Sequence, residues 1–218
     1  MTANSDYCES LVRDTDKDRF LATLFAPTAS RSDLYVLYAF DQETAGVAQK
    51  VRDPAAGEIR LQWWHDALAG ISESPGNPVA DAMLDTTARY GIDTTLALSL
   101  IDARRQALYD NGSQSEAEFE LFASRTEGAI YLMAAQVLGG TPSEATKLAA
   151  HHAGVVALKP QASADHRNAV KSLIPNLAPD VLPAFLPLAL SVDDRAKLPQ
   201  WRKQWILWRA SKNLAAWL

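Results

Sequence analysis

The sequence predicts an all-α domain, and three observations lead to that expectation. Apolar side chains recur at helical spacing along most of the chain. Nearly every such stretch opens on an Asp, Asn, Ser or Thr able to cap a helix, in three places with Pro directly after it. No stretch alternates apolar and polar residues as a half-buried strand would. With 218 residues, 48% of them hydrophobic and 22% charged, the chain can bury a substantial core as a single domain spanning 1–218.

Two short helices, or one bent one, open the chain. The first holds Tyr7, Leu11 and Val12; the second, within residues 16–25, holds Phe20, Leu21, Leu24 and Phe25. Between them, Asp14-Thr15-Asp16-Lys17-Asp18 has the start of a calcium loop. Arg19 stands at its sixth position, where Gly is needed, and Phe25 at its twelfth, where a bidentate Glu belongs, so the reading is a solvated acidic helix start. Pro27 stops this unit, and Thr28 or Ser30 caps a helix reaching about Val51. Leu34, Tyr38, Asp41, Ala45 and Ala48 share one face of it, and on residue type alone Tyr38 and Asp41 are satisfied core or boundary groups.

Asp53-Pro54 caps the next helix, which holds Ile59, Trp63, Leu68 and Ile71 and ends at Ser74-Pro75-Gly76. Asn77-Pro78 then caps residues 79–89, where Asp81 and Asp85 lie one turn apart and read as a solvent-facing pair. Asp93 caps residues 96–108, and Ser115 caps one long helix over 116–138, closed by Gly139-Gly140. Thr141-Pro142 opens another to about Leu158. There Lys159-Pro160-Gln161-Ala162-Ser163 breaks the pattern, and four prolines between Pro175 and Pro187 leave room for short helices only. The last helix sets Trp201, Trp205 and Trp208 at i, i+4 and i+7, with Arg202, Lys203, Arg209 and Lys212 and no acid. On residue type these indoles pack against the domain while the basic stems cover its rim; the competing reading inserts them into an anionic lipid interface.

A net charge of −5 argues against a broad nucleic-acid footprint. A single cysteine, Cys8, excludes an intramolecular disulfide and suits a reducing compartment, and four His leave little material for a zinc site. The N-terminal residues lack a signal-peptide pattern, and the longest apolar run, 181–190, is broken by Pro183 and Pro187. The expectation is a cytoplasmic protein, at most peripheral at the inner membrane.

The stretches LYVLYAF (34–40), VRDPAAGEIRLQWWHDAL (51–68), LPAFLPLAL (182–190) and WRKQWILWRA (201–210) resemble the squalene/phytoene synthase family. More narrowly, they resemble its bacterial branch related to the mitochondrial complex I assembly factor. The resemblance covers Tyr7 to about Leu158 and resumes near Leu182. It implies an isoprenoid-synthase-like helical bundle around a central cavity, shortened towards the C-terminus. In that family two motifs, each with carboxylates at i and i+4, hold Mg²⁺ against a substrate diphosphate. Alignment sets the first pair at Ala45 and Gln49 and the second at Asp165 and Ala169, with Pro160 inside what would be continuous helix.

Mg²⁺ needs hard oxygen ligands in near-octahedral geometry, which Ala and Gln together do not supply. The resemblance therefore implies a catalytically degenerate protein, an assembly or scaffold factor or a lipid-binding one, with no catalytic residue, no metal ligand and no cofactor. Arg31, Tyr38 and Asp41 are the candidates for a binding site at the cavity mouth. The implied partners are an isoprenoid or other lipid, a membrane-associated protein, and an anionic membrane surface met by the C-terminal helix. The alternative is an active Mg²⁺-dependent prenyltransferase joining two farnesyl or geranylgeranyl diphosphates head to head. It requires Asp41, Glu43, Asp165 or the Asp81/Asp85 pair to converge in one cavity.

Overall fold

The computed structural model describes residues 3–71, 76–110, 115–161, 164–192 and 195–218. Among these residues the chain is helical throughout its regular structure, with short 3₁₀ turns as connectors and no strand. The opening is two helices, α1 (Ala3–Thr15) and α2 (Lys17–Thr23). Asp16 separates them: its backbone leaves the helical region and its side chain accepts the Arg19 N–H, capping α2. The acidic run thus serves as a helix start.

Helix α3 (Arg31–Lys50) is the central element, packed by α1, α4, α5 and α8. Every residue from Leu34 to Asp41 is buried, so no single stripe faces the core; the middle of the helix is enclosed all round. At its C-terminal end the face opens, and Ala45, Ala48 and Gln49 are exposed. Asp53 caps α4 (Pro54–Leu68) and Asn77 caps α5 (Pro78–Tyr90), each with Pro at the first helical position.

Helix α4 ends sooner than the sequence pattern suggests. Gly70 takes φ 74° and the Ile71 N–H reaches back to the Asp66 carbonyl, a glycine-terminated helix end. The expected stop at Ser74-Pro75 lies outside the described residues. The buried face of α4 is Leu61, Trp64 and Leu68, whereas Ile59, Trp63 and Ile71 look outward.

Asp93 caps α6 (Thr94–Ala107), and Ser115 with Glu118 forms a reciprocal capping box on α7 (Glu116–Ala123). The expected single helix over 116–138 is in fact interrupted: a π-helical turn, Ser124–Gly128, joins α7 to α8 (Ala129–Gly139). This turn rests on α9 (Glu144–Leu158) with almost no space between backbones. A Cβ on Gly154 would sit 2.5 Å from the Ala123 carbonyl oxygen and 2.6 Å from the Gly128 nitrogen. The cap of α9 is Ser143, not Thr141, because the Ser143 hydroxyl accepts the Thr146 N–H.

Beyond the break, of which Ala162 and Ser163 lie outside the described residues, α10 (Ala164–Leu173) folds back on α9. The prolines start 3₁₀ turns and two one-turn helices, α11 (Leu182–Phe185) and α12 (Leu188–Ser191), which bury Phe185, Leu188 and Leu190. Helix α13 (Gln200–Ala210) buries Ile206, Leu207 and Ala210. Its Trp stripe does not pack inward as residue type suggests: Trp201, Trp205 and Trp208 are 64%, 51% and 49% exposed. Ile206, Leu207 and Ala210 occupy the inner face, and cations of the same segment cover the indoles instead. Arg202 lies over Trp201, Arg209 over Trp205 and Lys212 over Trp208, at 5.1, 5.6 and 5.0 Å from the ring centres. Among the described residues no helix is long and apolar enough to cross a membrane.

Candidate functional site

A charge cluster occupies the interior where α2, α3, α6 and the π turn meet. Arg19 of α2 donates one guanidinium nitrogen to Asp41 of α3 and another to Glu127 of the π turn. Arg104 of α6 donates to the other Asp41 oxygen, to the Thr44 hydroxyl and, at 3.1 Å, to the Asp41 carbonyl. Asp41 is thus held by two guanidiniums at once, and it is 2% exposed, against 9% for Arg19 and 8% for Arg104. Asp16 adds a third carboxylate, 3.7 Å from the Arg19 Nε, and accepts from Gln42. The Tyr38 ring lies 5.0 Å from the Arg19 guanidinium carbon.

Local structure explains the convergence. Tyr38, Asp41 and Thr44 are one helical turn apart and so share a face of α3. Arg104 follows Ala97, Leu100 and Ile101 along the buried face of α6, which aims a cation straight into the core. The π turn places Glu127 beside the buried Thr126 and Gly128, facing Arg19.

Burial alone would raise the Asp41 carboxyl, but the Arg104 and Arg19 guanidiniums outweigh it and hold it below the usual carboxylate range. Glu127 goes the other way, because burial, helped by the nearby Asp41 carboxylate, dominates the pull of Arg19 and Arg104. Burial would also lower Arg19, yet Glu127 and Asp41 keep it firmly charged. Burial raises Tyr38 and Tyr131, leaving both phenols neutral.

Of the three residues singled out in the sequence, the structure brings Tyr38 and Asp41 together and sets Arg31 apart. Arg31 donates to the Ala26 and Leu24 carbonyls and lines a separate pocket of about 500 Å³ with Glu9, Tyr35 and Arg89. Sequence reasoning missed Arg19, Arg104 and Glu127. The legible signal was a charged residue on an apolar face, clearest for Arg104 at i+3 from Ile101.

The acids that an active prenyltransferase would need, Glu43, Asp165 and the Asp81/Asp85 pair, do not assemble around Asp41. Glu43 borders a different pocket, Asp81 is half-buried on α5, and Asp85 and Asp165 are exposed. Ala45 borders an open pocket of about 160 Å³ with Thr44, Ala48, Arg104, Glu127 and Leu158. Asp33, also on α3, accepts from Arg89 and Tyr90 at 2.7 and 2.9 Å, a clamp between α3 and α5.

The profile of the squalene/phytoene synthase family matches residues 12–158, two thirds of the chain. This chain belongs to that family. Among curated relatives, the human NADH dehydrogenase (ubiquinone) complex I assembly factor 6 is 28% identical over 147 residues, 66% of this chain and 44% of that protein. A 15-cis-phytoene synthase of Synechocystis is 26% identical over 135 residues, covering 62% and 40%. The chain spans less than half the length of either relative. A crystal structure of a dehydrosqualene synthase superposes with a TM-score of 0.76 at 15% identity, covering 98% of this chain and 97% of that one. The squalene synthase HpnC of Alicyclobacillus acidocaldarius gives 0.61 at 16% identity, covering 98% and 92%. The family's isoprenoid-synthase-like bundle is therefore the fold here, as the resemblance implied.

Proposed function

We propose that this squalene/phytoene synthase family member is catalytically degenerate and acts as an assembly or scaffold factor for a membrane-associated protein complex. The observation that supports it best is the pairing of Asp41 and Glu127 with Arg19 and Arg104. A diphosphate-bound Mg²⁺ needs several free hard-oxygen donors in near-octahedral array. On our reading the residues at the family's metal positions do not fit that ion. Ala45 and Ala169 offer no donor, Gln49 offers a neutral amide, and Asp165 is exposed on α10. Both Asp41 oxygens already accept from guanidiniums, whose own charge repels a divalent cation at close range. The pocket beside Ala45, at about 160 Å³, is also small for a prenyl chain, since ligand sites commonly run to about 300–1,000 Å³.

The assembly reading draws further support from the relatives named as complex I assembly factors, matched over 44% of their length. Membrane proximity draws support from α13, whose exposed indoles and basic residues suit an anionic lipid interface. A second reading, lipid binding without reaction, is favoured by the pocket of about 500 Å³ where Arg31 and Arg89 could face an anionic head group.

The degenerate reading is tested by incubating the protein with farnesyl or geranylgeranyl diphosphate and Mg²⁺ while following pyrophosphate release. Release no faster than in the protein-free control is expected. Sustained, Mg²⁺-dependent turnover would overturn the proposal.

A further inference from the structure

Outside the charge cluster, three of the four histidines meet on one side of the bundle. His151 and His152 stand on α9, and His166 comes from the first turn of α10, across the Pro160 break. The ring centres of His151 and His152 are 5.0 Å apart, those of His152 and His166 5.1 Å, and those of His151 and His166 6.2 Å. One ring nitrogen from each can be chosen so that all three lie within 4.8 Å of one another. The closest pair, Nδ1 of His152 and Nδ1 of His166, is separated by 3.0 Å. All three residues are half-buried, so the cluster is sheltered yet reachable from solvent. Among the described residues it is the grouping of three or more His, Cys, Asp or Glu side chains close enough to share a metal ion.

The chemistry of this donor set is specific. Imidazole nitrogen suits borderline transition cations such as Zn²⁺ and is a poor ligand for Mg²⁺ or Ca²⁺. Tetrahedral Zn²⁺ with bonds of about 2.0–2.1 Å places its ligand nitrogens roughly 3.3–3.4 Å apart, a spacing bracketed by the 3.0 and 4.8 Å here. The χ2 torsion of His is broad, so ring rotation covers the difference. His166 has the outer partner expected of a metal-bound imidazole: its Nε2 lies 3.3 Å from the Glu120 carboxylate of α7. With a proton on Nε2 donated to Glu120, Nδ1 presents its lone pair towards His152.

We infer that His151, His152 and His166 form a binding site for a Zn²⁺-class transition cation, a staple that ties α10 to α9 and, through Glu120, to α7. Three protein ligands leave the fourth position of the ion to water or to a side chain of a partner. His166 falls between the aligned positions Asp165 and Ala169 on α10, but the three ligands occupy none of the family's diphosphate-metal positions, and the site does not rest on the proposed scaffold role. Sequence reading set a zinc site aside because the chain has few His, yet folding brings three of the four together. The adjacent pair His151-His152 and the lone His166 are 14 residues apart on separate helices, and their meeting is a tertiary fact.

The test uses the full chain without an affinity tag, stripped with a chelator and titrated with ZnCl₂ by calorimetry, with thermal unfolding followed in parallel. Saturable binding of one Zn²⁺ per chain is expected, with a rise in Tm that MgCl₂ does not reproduce. His152→Asn and His166→Asn each weaken binding at least about tenfold, and Glu120→Gln weakens it by about 10–100-fold, as loss of a carboxylate behind a metal-bound His does elsewhere. His65→Asn, remote on α4, leaves it unchanged. Should either ligand variant fail to fold, Glu120→Gln, whose side chain is 37% exposed, supplies the decision. Absence of saturable Zn²⁺ binding, or binding unchanged in the ligand variants and in Glu120→Gln, would overturn the proposal.

Discussion

At the scale of single residues, Asp41 is the position on which the interior depends. It takes part in both guanidinium pairs, so Asp41→Asn leaves Arg19 with Glu127 and the more distant Asp16, and Arg104 with no ion pair, both in a site nearly closed to water. Breaking a buried pair in this way costs about 3–5 kcal/mol, and urea denaturation should show a loss of that size. Glu127→Gln should cost clearly less, because burial already disfavours the Glu127 charge and Arg19 keeps Asp41. The pH dependence has a definite sign. Asp41, held below its unfolded value, contributes stability that is complete above the ordinary carboxylate range and is lost as pH falls through its lower folded value. Glu127, raised in the fold, subtracts stability as pH climbs from its unfolded value through its folded one. Acid unfolding should therefore be shallower in Asp41→Asn than in the parent. Cys8 allows a simpler check: it is fully buried and its thiol is pushed up to about 12, chiefly by burial, so a thiol reagent at neutral pH should react only after denaturant is added. Asp41 is visible in the sequence, but its partners are not, since Arg19 and Arg104 lie 22 and 63 residues away from it.

Among the elements, helix starts were the most legible. Asp53, Asn77, Asp93 and Ser115 all cap as their residue types indicate, because a cap is settled within three or four residues. Helix ends and interruptions depend on the neighbours and were harder to see. The π turn at Ser124–Gly128 has no local signature apart from Gly128, and it lies where α9 comes within backbone contact at Gly154. Gly154→Ala should accordingly destabilise far beyond any helix-propensity gain, by about 1–3 kcal/mol or more, since the new methyl would meet backbone atoms that cannot rotate away. A fall in Tm of Gly154→Ala without loss of helical circular dichroism is the expected result. Helix α13 gives the opposite lesson. Its i, i+4, i+7 Trp spacing read as a core stripe, and the apolar face turned out to be Ile206, Leu207 and Ala210. Replacing Trp201, Trp205 and Trp208 together with Ala should leave the Tm nearly unchanged while abolishing co-sedimentation with vesicles rich in anionic phospholipid. Equal sedimentation of parent and variant would remove the membrane-docking part of the proposed function.

For the molecule as a whole, the helical class and the family were readable because both are spread over many residues: periodicity, caps, and the stretches at 34–40 and 51–68, which lie within the matched residues 12–158. The charge cluster within the apolar core was not, because it is a set of long-range pairs assembled from α2, α3, α6 and the π turn. The isoprenoid-synthase-like bundle thus encloses guanidinium–carboxylate pairs beside the position where Ala45 stands. On our account those pairs stabilise a scaffold and leave no room for a diphosphate-bound metal. Calorimetric titration with a non-hydrolysable farnesyl diphosphate analogue, with and without Mg²⁺, tests this most directly. The account predicts either no binding or weak binding that Mg²⁺ does not change; tight binding that requires Mg²⁺ would contradict it.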